Sequence, residues 1–470
     1  MRALVRWGGL AGSLLIAVAA HLGGSPFARG TTVTPGSILT GSQGVVMPLC
    51  WVAGLAAVSC AWWFGRHHVP STRWAVVTAG LWSLPLLPVL PLGSEDIYSY
   101  ACQGFVQHAG GDPYAGGVQS FGCPWLESVS TTWRASPAPY GPLFLLLAGW
   151  AVALGSSLTG VIAGLRIIAL IGLAVLAAGL ARLARHCGRD PGRVVWTVLA
   201  CPLVPIHLVS GAHNDALMVG LLVLGLALVA AGRDAAAPGA VVATPALVLA
   251  GVPLGLAVAV KATAVVVLPF AVLAAVPAGS PLRSLWRPAT VVGAGAAGAV
   301  ALVSVVSGRG VGWVAGLLRS GDTVAWTSPS TAVGLAVESV ARLAGARVAA
   351  VPVTRILGVV VLAVLLAVLW WRARAGGALA GAGLALAATV LCAPVFHPWY
   401  ATWPLAVLAA TRRESRRLLG CCAFAGTLTL PAGYNWALFT KVPGALVVTA
   451  ALGALLVVAV RERRARRVSA

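Results

Sequence analysis

Charge is the scarcest property of this 470-residue sequence: charged side chains make up 9% of it, only 11 residues are acidic, and Lys261 and Lys441 are its two lysines. A soluble domain carries about a quarter of its residues as charges, so this composition excludes an aqueous fold. No Walker A Lys-Ser/Thr motif, no His-Glu-x-x-His and no Cys-x-x-Cys occurs, which argues against ATP-driven transport and zinc hydrolysis. No internal repeat and no separate soluble domain stands out. The nine cysteines are scattered, and most fall in apolar runs as small core residues. Cys102 and Cys123 share one loop, and a disulfide or two free thiols both fit that spacing.

Apolar residues are plentiful, at 59%, and mean hydropathy is +0.93. Runs of about 17–25 apolar residues, each long enough to cross a hydrocarbon core of about 30 Å, recur along the chain. The net charge of +21 sits in short arginine clusters between these runs. That is the arrangement of topology signals on the cytoplasmic side, not of a nucleic-acid surface. The clusters at Arg2/Arg6, Arg66/Arg73, Arg182 to Arg193, Arg233, Arg283/Arg287, Arg372/Arg374, Arg412 to Arg417 and Arg461 to Arg467 put both termini inside. The stretch from Arg2 to Ala20 resembles a signal peptide but reads better as a first span.

The expected fold is an all-α polytopic membrane protein forming one domain over 1–470. Spans are predicted at 7–22, 46–64, 74–92, 160–183, 193–210, 214–231, 243–260, 263–278, 289–306, 352–371, 377–394, 398–411, 418–433 and 443–460, about fourteen crossings. Two further apolar stretches, 140–157 and 331–344, would push arginine clusters outside if they crossed. They are read as interfacial or amphipathic helices within two large outer loops, 93–158 and 307–350.

Acidic residues sort by side. Asp190, Asp234, Glu414 and Glu462 lie among the cytoplasmic arginines. The other seven map to the outer side, where a carboxylate beside hydrocarbon is a functional candidate. For Glu127, Asp322 and Glu338 ordinary solvation suffices.

Four outer constellations remain. Ser94-Glu95-Asp96-Ile97-Tyr98-Ser99-Tyr100 with Gln103 follows the third span, where a general base would meet a hydroxyl; Ser94 or Asp96 as a helix cap is the structural alternative. Asp112, before proline, suits a turn. His213-Asn214-Asp215 opens the sixth span and suits sugar binding, orientation of a base, or capping. Lys261, alone in its apolar run, suits a phosphate as a point charge or snorkels to the interface. Phe396-His397-Pro398-Trp399-Tyr400 offers a donor to phosphate and rings for a sugar or isoprenoid, with an aromatic belt as the alternative.

Asp96-Ile97-Tyr98-Ser99-Tyr100, Gly111-Asp112-Pro113-Tyr114, Pro139-Tyr140-Gly141-Pro142, Gly211-Ala212-His213-Asn214-Asp215 and His397-Pro398-Trp399-Tyr400 occur in this order over about 93–404. Together they resemble the actinobacterial polyprenol-phosphate-mannose-dependent α-1,6-mannosyltransferases of lipomannan synthesis, which are of the GT-C type. The resemblance implies an outward-facing active site in a bacterial plasma membrane and an interfacial helix in the first large loop. It also implies an acidic catalytic base in that loop, matching Asp96, with Glu95 beside it. The implied donor is polyprenyl-phosphate-mannose and the acceptor a mannose-bearing glycolipid, so the partners are membrane lipids and not nucleic acid. Inversion at the anomeric carbon would release polyprenyl phosphate, whose charge Lys261, His397 or Arg319 would meet. No cofactor or metal is expected. The rival classes are a transporter or flippase of a lipid-linked saccharide, expected to show inverted repeats and midplane charges, and a non-catalytic scaffold.

Overall fold

The computed structural model of the protein describes residues 1–22, 45–314, 316, 324–430, 437 and 440–468. Among these no strand occurs, and the fold is a helical bundle. Its helices are α1 (Arg2–Leu22), α2 (Val46–Gly65), α3 (Thr72–Ser83), α4 (Asp96–His108), α5 (Pro142–Leu154), α6 (Leu158–His186), α7 (Pro191–Leu199), α8 (Asp215–Ala235), α9 (Thr244–Val260), α10 (Leu268–Ala274), α11 (Trp286–Ser307), α12 (Pro329–Leu343), α13 (Ala350–Ala373), α14 (Ala378–Cys392), α15 (Thr402–Thr411), α16 (Arg416–Thr427) and α17 (Lys441–Val468). Starts are set by local chemistry: Ser71, Ser157, Asp190 and Ser415 accept backbone N–H bonds at the first turns of α3, α6, α7 and α16, satisfying donors that a helix leaves unpaired.

Among the described residues seven helices are long and apolar enough to cross a membrane, or eight if one bent pair counts as a span. The count of about fourteen is therefore not reached by that measure. The difference lies in stretches that proline breaks or shortens. The 74–92 segment is α-helical only to Ser83, followed by a single 3-10 turn, because Pro85, Pro88 and Pro91 remove donors and clash with the preceding turn. The 193–210 segment becomes α7 and a π-helix, Val204–Ser210, bent by 69°, with Pro202 and Pro205 at the break. The 263–278 segment is a 3-10 stretch and the seven-residue α10. The 243–260, 377–394, 398–411 and 418–433 stretches hold helices of 17, 15, 10 and 12 residues, and 431–433 lie outside the described residues.

Broken helices leave carbonyls without partners. Arg166, buried on α6, answers them: its guanidinium donates to the carbonyls of Leu87, Val89 and Ser210. Sequence reading passed over this arginine within the 160–183 run, although a charge inside such a run is itself a signal. Indoles fasten neighbouring helices: Trp62 donates to the Thr197 carbonyl and Trp196 to that of Trp62, both at 3.0 Å.

The first loop carries α5, whose 13 residues span about 20 Å, short of a hydrocarbon core. Cys102 on α4 is disulfide-bonded to Cys123. In the second loop α12 buries Thr331, Ala332, Leu335 and Ser339 on one face, as an amphipathic helix should. Glu338, expected to be merely solvated, accepts from the Val351 amide at 3.0 Å. Arg319 and Asp322 lie outside the described residues.

Candidate active site

Asp96 is delivered by the break after α3. Gly93 turns the chain at φ +80° against the His207 ring, where a Cβ would collide. Ser94 Oγ then accepts the Asp96 backbone N–H at 3.0 Å. Ser94, one residue before the N-cap position of Glu95, thus fixes the entry to α4, and Asp96 lines a cavity of about 190 Å³. From the same helix come Ser99 and Gln103; Trp133, Ser136 and Tyr140 form another wall, and Lys261, Thr263, His397, Tyr400 and Trp403 close it. Tyr140 is held there by a close approach: the Gly141 N–H donates to the Val260 carbonyl at 3.1 Å, and a Cβ at 141 would strike the Ala259 carbonyl. Ser99 Oγ, Gln103 Oε1 and Thr263 Oγ1 are buried without a protein partner. Such orphaned polar atoms call for a ligand or water, and their mixture of hydroxyls and an amide oxygen suits a polyhydroxyl ligand.

Opposite Asp96 stands a fixed cation. Lys261 follows α9, and its Nζ lies 2.9 Å from Asp215 Oδ1 and 3.1 Å from Oδ2. Trp403 Nε1 donates to the same Oδ1 at 2.7 Å. The ammonium also lies 4.5 Å from the Tyr400 ring centroid and 5.1 Å from that of Trp403, in cation–π range. This corrects the sequence reading of Lys261 as a lone or snorkelling charge: it is buried and paired. Asp215, fully buried, serves the lysine.

His213 lies behind Asp96. Its Nδ1 is 2.8 Å from the His207 carbonyl; a carbonyl only accepts, so Nδ1 donates and a neutral ring keeps its lone pair on Nε2. That Nε2 has no hydrogen-bond partner and sits 3.7 Å from Asp96 Oδ2. The turn that places it runs through Ala212 at φ +45°, a conformation costly to a residue with a Cβ. Trp399 packs between two histidines, 3.9 Å from His213 and stacked on His397 at 4.6 Å.

Burial raises the Asp96 pKa to about 6, against the lowering effects of the Ser94 hydrogen bond and of Lys261. Burial and then the neighbouring Asp96 charge push Glu95 to about 7. Both adjacent carboxyls are thus raised, and Asp96 is the one on the cavity wall.

Of the residues singled out from sequence, Asp96, Gln103, Tyr140, Lys261, His397 and Tyr400 line the cavity. Tyr100 packs against Tyr140 at 5.2 Å, and His213, Asp215 and Trp399 form a layer behind. Both polar atoms of the Asn214 amide are buried and without a partner. Glu95 and Tyr98 are not among the lining side chains. Asp112 has the expected turn role, accepting from the Tyr114 N–H at 2.9 Å. Trp133, Thr263 and Trp403 were missed. Trp403 stood one helical turn beyond Trp399 and Tyr400 and was open to discovery, whereas nothing local marks Trp133.

Chain direction sets this cavity apart from the arginines. α8 leaves it at Asp215 and ends near Arg233, α9 returns to Lys261, and α15 leads from Thr402 to Arg412. Two larger hollows, of about 750 and 460 Å³, lie at the arginine end.

The chain matches two family models: "Alpha-(1->6)-mannopyranosyltransferase, N-terminal domain" over residues 6–277 and "MptB C-terminal domain" over 330–460. It is 34% identical over 383 residues to alpha-(1->6)-mannopyranosyltransferase A of Mycobacterium tuberculosis, covering 76% of this chain and 70% of that protein. A probable alpha-(1->6)-mannopyranosyltransferase of Mycolicibacterium smegmatis is 30% identical over 401 residues, covering 79% and 70%. The Corynebacterium glutamicum alpha-(1->6)-mannopyranosyltransferase A is 28% identical over 396, covering 76% and 77%. No solved structure matches.

Proposed function

Because the chain belongs to the alpha-(1->6)-mannopyranosyltransferase family, we propose that the cavity beside Asp96 is where this multi-pass membrane mannosyltransferase builds its α-1,6 linkage. The donor is polyprenyl-phosphate-mannose, the acceptor a mannose-bearing glycolipid, and the cavity opens on the outer face of the plasma membrane with both termini inside. Two observations support the orientation. The arginine clusters gather at the opposite end of the bundle, as cytoplasmic ends do, and the Cys102–Cys123 bond beside the cavity belongs to an oxidising compartment.

The observation that carries the reading is a carboxylate and a fixed ammonium, Asp96 and Lys261, on the walls of one small cavity with unpartnered polar atoms around it. Asp96 takes the proton of the acceptor's primary hydroxyl. The oxygen attacks the anomeric carbon from the face opposite the phosphate, the carbon–oxygen bond to phosphate breaks, and its electron pair leaves with polyprenyl phosphate. Inversion converts a β-linked donor to an α-linked product. Lys261 meets the phosphate charge: an ammonium has three donors, and Asp215 occupies at most two. His397 lines the same cavity as a further donor. This charge falls to the protein's own cations. Among the described residues, no group of three or more His, Cys, Asp or Glu side chains is placed to hold an ion. The relatives compared are named as transferases, which leaves the transporter and flippase reading without support.

Asp96→Asn keeps the shape of the side chain and removes the base. Transfer from the lipid donor to a mannoside acceptor should fall by about 100- to 10,000-fold with donor binding retained, while Glu95→Gln stays within severalfold of wild type. Near-normal turnover in Asp96→Asn, or its abolition by Glu95→Gln alone, rejects the assignment.

A further inference from the structure

A hollow of about 750 Å³ lies at the end away from Asp96, between the start of α7 and the end of α15. Leu384, Leu405, Leu408 and Leu419 are among its apolar wall, and Arg189, Arg193, Arg412 and Arg413 also line it. Two carboxylates share the lining, and both are engaged. Asp190 accepts the backbone N–H of Arg193 at 2.6 Å, and Glu414 is paired with Arg66 at 2.8 Å. Among the described residues none of the four lining arginines has an ion-pair partner. Nε of Arg189 is buried and makes no hydrogen bond. In the neighbouring hollow of about 460 Å³ Nε of Arg374 is likewise buried without a partner, but the rest of its guanidinium is engaged, lying over Trp371 and donating to the Ser280 carbonyl, and Arg233 donates to the carbonyls of Ala240 and Ala237.

We propose that the larger hollow binds one anionic phospholipid, its phosphate among the guanidiniums and the start of its acyl chains along the leucines. Guanidinium forks match phosphate geometry, and basic pockets between membrane helices on the cytoplasmic side suit anionic headgroups. The volume falls within the usual range for a small-molecule pocket of about 300–1,000 Å³. Arginines 189 and 193 are more than two hundred residues from 412 and 413, so a headgroup seated here ties α7 to α15. Positive charge at the inner end is enough to orient a membrane protein, but it does not require four arginines without ion-pair partners around one leucine-lined hollow.

The test uses the full chain purified in a neutral detergent and titrated with phosphatidylglycerol, phosphatidylcholine or inorganic phosphate. Native mass spectrometry and the thermal midpoint are the readouts. One phosphatidylglycerol per chain should be retained at concentrations where phosphatidylcholine is not, and it should raise the midpoint. Arg189→Gln with Arg412→Gln should weaken retention by about tenfold or more. Arg182→Gln with Arg185→Gln, which removes the same charge outside the hollow, should weaken it less than about twofold, as exposed charges do. Should the first pair fail to fold, the exposed Arg193→Gln carries the same comparison. Equal losses in both pairs, equal retention of phosphatidylcholine, or the same midpoint rise with inorganic phosphate alone overturns the proposal.

Discussion

Asp215→Asn is the most informative perturbation of the cavity, because it removes a charge from a buried pair and leaves the shape intact. Two unit charges 2.9 Å apart attract by about 6 kcal/mol at an effective dielectric of about 20. Asparagine returns part of this. Its amide oxygen, set where Oδ1 stands, still accepts from both Lys261 and Trp403. Its NH2 then takes the place of Oδ2, 3.1 Å from Nζ, so a donor faces a donor. The alternative flip puts the NH2 against the Trp403 indole N–H, which is no better. The net cost should match that of breaking a buried pair, about 3–5 kcal/mol. At about 2 °C per kcal/mol for a large chain, the midpoint for loss of monodisperse protein on heating falls by roughly 5–10 °C. Transfer should fall with it, since Lys261 is no longer held at the cavity wall. Adding Lys261→Met to Asp215→Asn removes the orphaned ammonium and should recover most of the stability but not the transfer. An Asp215→Asn protein that melts with wild type, or a double variant whose loss equals the sum of the singles, refutes this account of the pair.

The pH dependence has a definite sign: a base must be deprotonated, so kcat/KM should rise with pH through about 6, the raised Asp96 value, about two units above an ordinary aspartate; a limb near 4 contradicts it. Replacing Cys102 and Cys123 by serine opens a loop with a separation of 21 residues and should cost about 3 kcal/mol, read as a lower heat-challenge midpoint that reductant reproduces in wild type. With exposed native cysteines removed, Glu127→Cys, whose parent side chain is 70% exposed, should react with an impermeant maleimide in intact cells and Arg413→Cys should not; the reverse pattern inverts the topology.

Properties that depend on a residue's neighbours in the chain were legible without a structure. Hydropathy marked the membrane class, arginine spacing marked one end of the bundle, and Asp96 stood out as a carboxylate at the mouth of an apolar run. The Asp112 turn and the amphipathic α12 were likewise written in local chemistry. Even the breaks were written there, since Pro85, Pro88 and Pro91 end α3 and Pro202 and Pro205 bend the next pair, although hydropathy averaged over a window hid them. What only the tertiary structure decided were meetings between residues far apart. Asp215 finds Lys261 46 residues on and Trp403 188 residues on, which turns an apparently lone lysine into half of a buried pair. Arg166 answers carbonyls 77 and 44 residues away, and the arginines of two separate clusters share one hollow. Hydropathy and turn chemistry act within a few residues, whereas these contacts depend on the register in which whole helices pack, and that register is settled by the shapes of many side chains at once.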